Sequence, residues 1–140
     1  MSTRSRIAIE NQDGSVTSIY CHFDGYPEGV GEKLILHYDT EEKVKALIAL
    51  GDLSYLTSEL SPAPGVIHNF NNPVFSVTVA YNRDRGEDFN QEHHTNAEEF
   101  FNGDVEDFGY LFQNGEWSFV FGYSDDREPR SVADVLSGLI

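Results

Sequence analysis

Hydrophobic and polar residues alternate in two runs at the start of the chain, which is typical of half-buried strands. The first predicted strand is Thr3–Glu10, where Ile7 and Ile9 are separated by small or polar neighbours. The second is Val16–Phe23. Between them, Asn11–Gly14 ends in Asp-Gly, a strong hairpin-turn signal. We therefore predict that the chain opens with a β-hairpin.

Helical spacing of apolar residues follows a glycine-rich loop. We predict a helix over Glu32–Tyr38 and a second helix over Glu41–Leu50. Asp39-Thr40 supplies the N-cap of the second helix, and Gly51 suits its C-terminal stop. Both helices have one apolar stripe, so each is expected to pack one face against a sheet.

The second half of the chain predicts further strands and short helices. In order, these are a strand over Val74–Tyr81, a short helix from the capping box Thr95–Glu98 through Phe101, strands Gly109–Gln113 and Glu116–Tyr123 around an Asn-Gly turn, and a final helix after Ser131 that includes Leu139. The stretches predicted as loops are Asp52–Asn72, Asn82–His94 and Asp125–Arg130.

This order of elements predicts an α+β fold. We expect a mostly antiparallel sheet of about five strands with the helices packed on one face. The length of 140 residues predicts one domain over residues 1–140, large enough to bury its own core. Ten Phe, seven Tyr and one Trp make that core aromatic-rich.

Charge narrows the classes of partner. The chain has 24 acidic and nine basic residues, a net charge of −15. Direct binding to nucleic acid or to an anionic membrane depends on Lys and Arg, so both are disfavoured. An acidic surface can instead engage a basic partner by imitating nucleic acid. Plain solubility explains the same charge, and the sequence leaves both interpretations open.

Cysteine use and hydropathy limit the chemistry further. Cys21 is the sole cysteine, so no intrachain disulfide forms and no cysteine cluster binds metal. No apolar run is long enough for a signal peptide or a membrane span. We predict a cytoplasmic protein with no cofactor and no metal site.

Paired arginines are the candidate ligand-binding residues. Arg4 and Arg6 lie two apart on the first strand, and Arg83 and Arg85 lie two apart after the strand predicted to end at Tyr81. If those strands are neighbours, four guanidiniums converge on an anion, because guanidinium forks suit phosphate and carboxylate groups. The alternative is that each arginine pairs with a nearby acid, such as Asp84, Glu87 or Asp88.

The segment Tyr20–Gly31 is predicted to form another wall of this site. The Asp24 carboxylate can orient the His22 imidazole as a general base, or both side chains can contact the base or ribose of a ligand. Tyr26 can stack on a planar base. Gly29 and Gly31 can aim backbone N–H groups at an anion. The alternatives are structural histidines and glycines that only allow tight packing. No motif completes a catalytic set, so catalysis is not the favoured interpretation.

Four strings resemble a known family. These are MSTRSRI at the start, SIYCHFDGYPEGVG at residues 18–31, LGDLS at residues 50–54 and YNRDRGE at residues 81–87. They resemble small proteins of tailed bacteriophages and prophages, whose Trp-Asp-Gly-Tyr-Pro string reads here as Phe23–Pro27. The resemblance implies expression in the host bacterial cytoplasm and inhibition of host defence, and it supplies no catalytic residue.

Three functional hypotheses follow. The first is a non-catalytic binding protein that sequesters a small anionic, nucleotide-like ligand. Its predicted ligand-binding residues are Arg4, Arg6, His22, Asp24, Tyr26, Gly29, Gly31, Arg83 and Arg85. The second is an acidic nucleic-acid mimic that binds a basic host protein. The third is a small hydrolase of a nucleotide signal that uses His22 and Asp24. A homo-oligomer is compatible with each of them.

Overall fold

A mixed eight-stranded sheet organises the protein in a computed structural model that describes residues 2–61 and 76–138. The strands are β1 (Ser5–Glu10), β2 (Val16–Cys21), β3 (Leu53–Tyr55), β4 (Val79–Ala80), β5 (Glu92–His94), β6 (Phe108–Gln113), β7 (Glu116–Phe121) and β8 (Arg130–Ser131). The helices are α1 (Glu32–His37), α2 (Glu41–Ile48), α3 (Tyr81–Arg85), α4 (Ala97–Asn102) and α5 (Val132–Leu136), and a π-helical turn (Pro27–Gly31) precedes α1.

The strand order is β4-β3-β2-β1-β6-β7-β8, and β5 also pairs with β2. The two predicted hairpins form the antiparallel pairs β1–β2 and β6–β7. They are joined by a parallel pair, in which Ser5 of β1 lies opposite Phe108 and Ile9 lies opposite Phe112. The pair β2–β3 is also parallel. The centre of the sheet therefore depends on a contact between residues about one hundred positions apart in the chain.

Side-chain alternation separates the sheet into two faces. The first face carries Ile7 and Ile9 of β1, and helices α1, α2 and α5 cover it. Its largest fully buried side chains include Tyr110, Phe119, Ile19, Leu34 and Leu47. The second face carries Ala8 of β1, and α4 covers part of it with Phe100 and Phe101. The remaining part of the second face is polar, and it holds the candidate site.

Local sequence signals explain several element ends. Asn114 and Gly115 both have positive φ angles, 55° and 78°, as a type I′ hairpin turn requires. Thr40 caps α2 by accepting a hydrogen bond from the backbone N–H of Lys43. Ser131 caps α5 in the same way. These predictions are confirmed.

The predicted α+β class is confirmed, but the predicted sheet is wrong in detail. The sheet is larger than five strands and is mixed, and helices lie on both of its faces. The missed strands β3, β5 and β8 have three residues or fewer, which is too short for alternation to show in the sequence. Parallel pairing was missed because it joins segments distant in the chain, which no local pattern encodes.

Some predicted boundaries also move. The strand predicted over Val74–Tyr81 is reduced to β4, because Tyr81 begins α3; residues 74 and 75 lie outside the described residues. The N-cap of α4 is Asn96 rather than Thr95, since the Asn96 carboxamide accepts from the N–H of Glu99. Leu139 also lies outside the described residues. Within residues 2–61 and 76–138, no helix is long and apolar enough to cross a membrane.

Gly122, which follows β7, allows residues 104–107 to approach the end of this strand closely. A Cβ atom at Gly122 would lie 1.7 Å from the carbonyl oxygen of Glu106, a distance that atoms cannot reach. The backbone N–H of Gly122 donates to the carbonyl of Asp107 at 2.9 Å. Residues 104–107 are therefore held close to the end of β7 by a contact that only glycine permits.

We predict that Gly122→Ala lowers the free energy of unfolding by about 1–3 kcal/mol, the usual cost of forcing extra atoms into a packed site. Chemical denaturation followed by the fluorescence of the buried Trp117 measures this change. Glu116→Ala, at an exposed position of β7, is the control and should stay within about 0.5 kcal/mol of the wild type. Equal stability of Gly122→Ala and the wild type would contradict the prediction.

Candidate functional site

A buried guanidinium marks the polar part of the second face. Arg6 points to this face because Ile7 and Ile9 occupy the other, and it is only 8% exposed. Its Nε donates to Ser18 Oγ at 3.0 Å, and an Nη atom donates to the Ser18 carbonyl at 3.4 Å. Glu92 of β5 forms an ion pair with Arg6 Nε at 3.1 Å. A guanidinium cannot lose its proton in a protein, so burial requires these partners.

Ser18 links Arg6 to a histidine. Ser18 Oγ lies 3.0 Å from His94 Nε2. Because Arg6 Nε can only donate, the serine oxygen accepts from arginine and its own proton is available to His94 Nε2. This arrangement suits a neutral His94 with its proton on Nδ1. Burial lowers the pKa of His94 below its ordinary value of 6.5, against the opposing effect of Glu92.

An open cavity of about 450 Å³ lies beside this cluster, and we name it the Arg6 cavity. Its lining residues are Arg6, Glu92, His93, His94, Asp104 and Glu106. Burial, and then the neighbouring Asp104, raise the pKa of Glu106 above its ordinary value of 4.5. One guanidinium faces three carboxyl groups here. With Glu92 paired to Arg6, the charge of this cavity favours a cation, and an anion can reach Arg6 only by displacing Glu92.

The predicted convergence of four arginines is wrong. Strand β4, which precedes Arg83 and Arg85, is separated from β1 by β3 and β2. Arg83 bonds to the Asp84 carboxylate and to the Thr78 carbonyl at 2.9 Å, as the ion-pair alternative expected. Arg85 lies over the ring of Tyr81, 5.3 Å from its centroid.

Arg4 stays near Arg6 but plays a different part. Arg4 directly precedes β1, which begins at Ser5. Arg4 is exposed, and its backbone N–H donates to the Asp107 carboxylate at 2.9 Å. Of the four arginines, only Arg6 lines the cavity. Strands β2 and β3 separate Arg4 and Arg6 from Arg83 and Arg85.

The predicted His22–Asp24 pair is replaced by another contact. Strand β2 ends at Cys21, so Asp24 does not share a strand face with His22. The Nδ1 atom of His22 lies 2.6 Å from the Tyr20 hydroxyl, and its ring packs edge-on against Phe23. The orienting group is therefore a hydroxyl and not a carboxylate. This leaves the hydrolase hypothesis without its expected dyad.

The glycines of the segment serve packing. A Cβ atom at Gly29 would lie 2.2 Å from the Asp24 carbonyl oxygen, and that oxygen accepts from the N–H of Val30 at 2.8 Å. The N–H of Gly29 donates to the Tyr26 carbonyl. A Cβ atom at Gly31 would press on the side chain of Val132. The packing alternative therefore accounts for Gly29 and Gly31.

An arginine that the sequence analysis missed brings two acidic segments together. The guanidinium of Arg127 donates to the carbonyls of Phe101 at 2.7 Å, Gly103 at 2.9 Å and Gly122 at 2.8 Å. It thereby fastens the loop after β7 to the C-terminal end of α4. No sequence pattern signals this role, because every residue has a backbone carbonyl and the acceptors therefore cannot be recognised from residue type.

The fastened segments form an acidic surface. A second cavity of about 520 Å³ lies between α4 and the loop after β7. Its lining includes four carboxylates and one guanidinium, those of Glu98, Asp125, Asp126, Glu128 and Arg127. Asp104, which follows the fastened Gly103, lines the Arg6 cavity. We define the acidic surface as Glu92, Glu98, Asp104, Glu106, Asp125, Asp126 and Glu128. Two stretches that are separate in the sequence therefore meet on one side of the molecule.

The comparisons with known proteins give no match to a family model, to a curated protein or to a solved structure. The resemblance to phage proteins therefore stays a prediction. In residues 2–61 and 76–138, no group of three or more His, Cys, Asp or Glu side chains is placed to hold a metal ion.

We predict that His94 makes stability fall with acidification. The folded state favours neutral His94, so its pKa is lower in the folded state than the ordinary value of 6.5 in the unfolded state. The contribution of His94 to the free energy of unfolding is therefore complete above pH 6.5 and is lost as pH falls through the pKa of the folded state. Between about pH 7.5 and about pH 5, wild type should therefore lose more free energy of unfolding than His94→Gln. Denaturation curves at each pH measure the difference.

The control for this measurement is His37→Gln, at an exposed position that ends α1. It removes an exposed histidine that lies outside the Arg6 cavity. Glu106 contributes with the opposite sign, because its raised pKa favours the folded state at low pH, but it is present in all three proteins. Identical pH dependence in wild type and His94→Gln would show that His94 does not titrate as argued.

Proposed function

We propose that this protein acts by binding the basic surface of another protein in place of nucleic acid. The observation that carries the proposal is the acidic surface. There, carboxylates from the chain segment before β6 and from the segment after β7 line the same cavity. Among the described residues, Glu92 is the only member of this surface in an ion pair. The other described ion pairs are Lys43–Asp39, Lys45–Glu41 and Arg83–Asp84.

Such a surface can attract the partner that a nucleic acid attracts. A groove that binds phosphates has a concentration of Lys and Arg, and unneutralised carboxylates complement it. The net charge of −15 also speeds the encounter with a basic protein at low salt. Binding of this kind requires no reaction, and we propose a non-catalytic inhibitor.

The biological setting of the proposal comes from the resemblance to phage proteins. A phage-encoded mimic would act in the host bacterial cytoplasm, where the proteins that recognise foreign nucleic acid are found. We propose that its partner is a basic host-defence protein that binds nucleic acid.

The experiment compares two variants of equal net charge. One neutralises the acidic surface with Glu98→Gln, Asp125→Asn, Asp126→Asn and Glu128→Gln. The matched control neutralises four exposed acids elsewhere with Glu28→Gln, Glu32→Gln, Glu41→Gln and Glu42→Gln. Each protein is immobilised, and the nucleic-acid-binding proteins of a bacterial lysate are measured on it at rising salt and with competing duplex DNA.

We expect wild type and control to retain the same basic protein, and the surface variant to lose at least about 90% of it, since several charge contacts act together. Retention should fall with salt and with added DNA. Equal loss in both variants would mean that only net charge matters. Retention that DNA does not reduce would contradict mimicry.

A second candidate is the sequestration of a small anionic, nucleotide-like ligand at Arg6. It is favoured by one observation: Glu92, the acid that pairs with Arg6, is 58% exposed, so a ligand phosphate can replace it. We predict that Glu92→Gln binds cyclic nucleotides or ADP-ribose more tightly than wild type, because a competing charge is removed. Calorimetry measures this, with Glu98→Gln as control. No heat with either protein would rule out this candidate.

A further inference from the structure

An aromatic cavity lies at one end of the sheet, apart from the Arg6 cavity. It measures about 490 Å³ and is lined by Ser2, Thr3, Tyr26, Asp107, Phe108 and Tyr123. Tyr123 is 73% exposed and Tyr26 is 39% exposed, although large aromatic side chains usually bury more of their surface. Three rings and one carboxylate therefore face the same open space.

The exposed ring of Tyr123 is supported from below. Its centroid lies 5.6 Å from that of Phe121 and 6.3 Å from that of Phe108, which it meets edge-on at 83°. Phe121 and Phe108 in turn contact Phe119 in the core. This aromatic ladder supports the position of Tyr123, which lowers the conformational entropy that a ligand must remove.

The carboxylate of Asp107 is also positioned before any ligand arrives. Its Oδ2 accepts from the backbone N–H of Arg4 at 2.9 Å, and a carboxylate has further lone pairs to offer. Among the described residues, no Lys or Arg lines this cavity. A cation that enters it therefore meets one fixed negative charge and three aromatic side chains.

The protein already places guanidiniums on its aromatic rings. Arg130 lies over the ring of Phe121 at 5.5 Å from the centroid, outside the lining of the cavity. Arg85 lies over Tyr81 in the same way. Among residues 2–61 and 76–138, arginine guanidinium groups therefore contact aromatic rings at two places.

We propose that this aromatic cavity receives an arginine side chain of a basic partner protein. The guanidinium stacks against Tyr26 and Tyr123, and its N–H groups donate to the carboxylate of Asp107. Arginine fits better than lysine, because its planar, weakly hydrated fork can stack and make directed hydrogen bonds together.

This inference rests on the proposed function, and it names where the partner is anchored. Asp107 follows the acidic residues 104 and 106, and Tyr123 precedes Asp125 and Asp126. In each of these two segments, a residue that lines the cavity is therefore adjacent in the chain to residues of the acidic surface. A partner held by the acidic surface has its own basic residues within reach of this anchor.

The test titrates the protein with N-acetyl-arginine methylamide and, separately, with N-acetyl-lysine methylamide. Binding is followed by NMR shifts of the backbone amides of Thr3, Asp107, Phe108 and Tyr123 at roughly physiological salt, which screens non-specific attraction to the acidic surface. We expect saturable shifts with the arginine probe, confined to these positions, and at least about three-fold weaker binding of the lysine probe.

Three variants separate the ring, the hydroxyl and the charge. Tyr123→Ala should lower affinity for the arginine probe by about three- to ten-fold, the size of a partly exposed cation–π contact. Tyr123→Phe keeps the ring and should bind within about two-fold of wild type. Asp107→Asn keeps an acceptor for the Arg4 N–H but removes the charge, and it should weaken binding. Leu36→Ala, another exposed hydrophobic position, is the control.

Shifts that never saturate, that spread evenly over acidic residues, or that are equal for both probes would overturn the inference. So would unchanged affinity in Tyr123→Ala. These outcomes are distinct from failure of the proposed function. The small probe can bind this cavity even if no basic protein is retained by the acidic surface, and retention can occur without any binding of the probe.

Discussion

Strand β1 is the constraint on which the rest of the structure depends, because it has a partner on each edge and a packed layer on each face. It pairs antiparallel with β2 and parallel with β6, and thereby joins the two hairpins into one sheet. With Ile7 and Ile9 buried against the helices of the first face, Arg6 can only point to the second. A shift of one residue would exchange the faces and bury the guanidinium among apolar helices. The register of β1 therefore fixes the core and the site together.

The burial of Arg6 has consequences for the residues around it. A guanidinium that cannot lose its charge needs Ser18 and Glu92, and Ser18 in turn positions His94. These contacts hold β5 to the edge of β2, where backbone pairing alone spans three residues. Arg6, at the centre of the polar part of the second face, thus has a structural role, whereas the carboxylates around it remain available to bind a partner. This is why we assign function to the surrounding acidic surface rather than to Arg6 itself.

Sequence patterns predict turns and helix caps correctly, because the backbone conformation of these features depends on only a few neighbouring residues. The turns after β1 and β6, the cap at Thr40 and the cap at Ser131 follow from backbone angles and hydrogen bonds that neighbouring residues supply. The strands β3, β5 and β8 are too short for an alternating pattern to show in the sequence. The prediction of a four-arginine site is wrong because the sequence does not encode strand order. Nothing near Arg83 in the sequence states that two strands separate it from Arg6.

The sequence by itself determined the α+β class, the two long hairpins, most of the helices and the large negative charge. These properties are sums over residues or consequences of local conformation. Only the tertiary structure decided that the two acidic segments lie side by side, that Arg6 is buried while Arg83 is held elsewhere, and that Tyr26 meets Tyr123 at one cavity. The physical reason is that these contacts follow from the order of the strands in the sheet, which includes the parallel pairing of β1 with β6. That pairing is stabilised by burial and hydrogen bonding across the whole sheet, and no short segment encodes it.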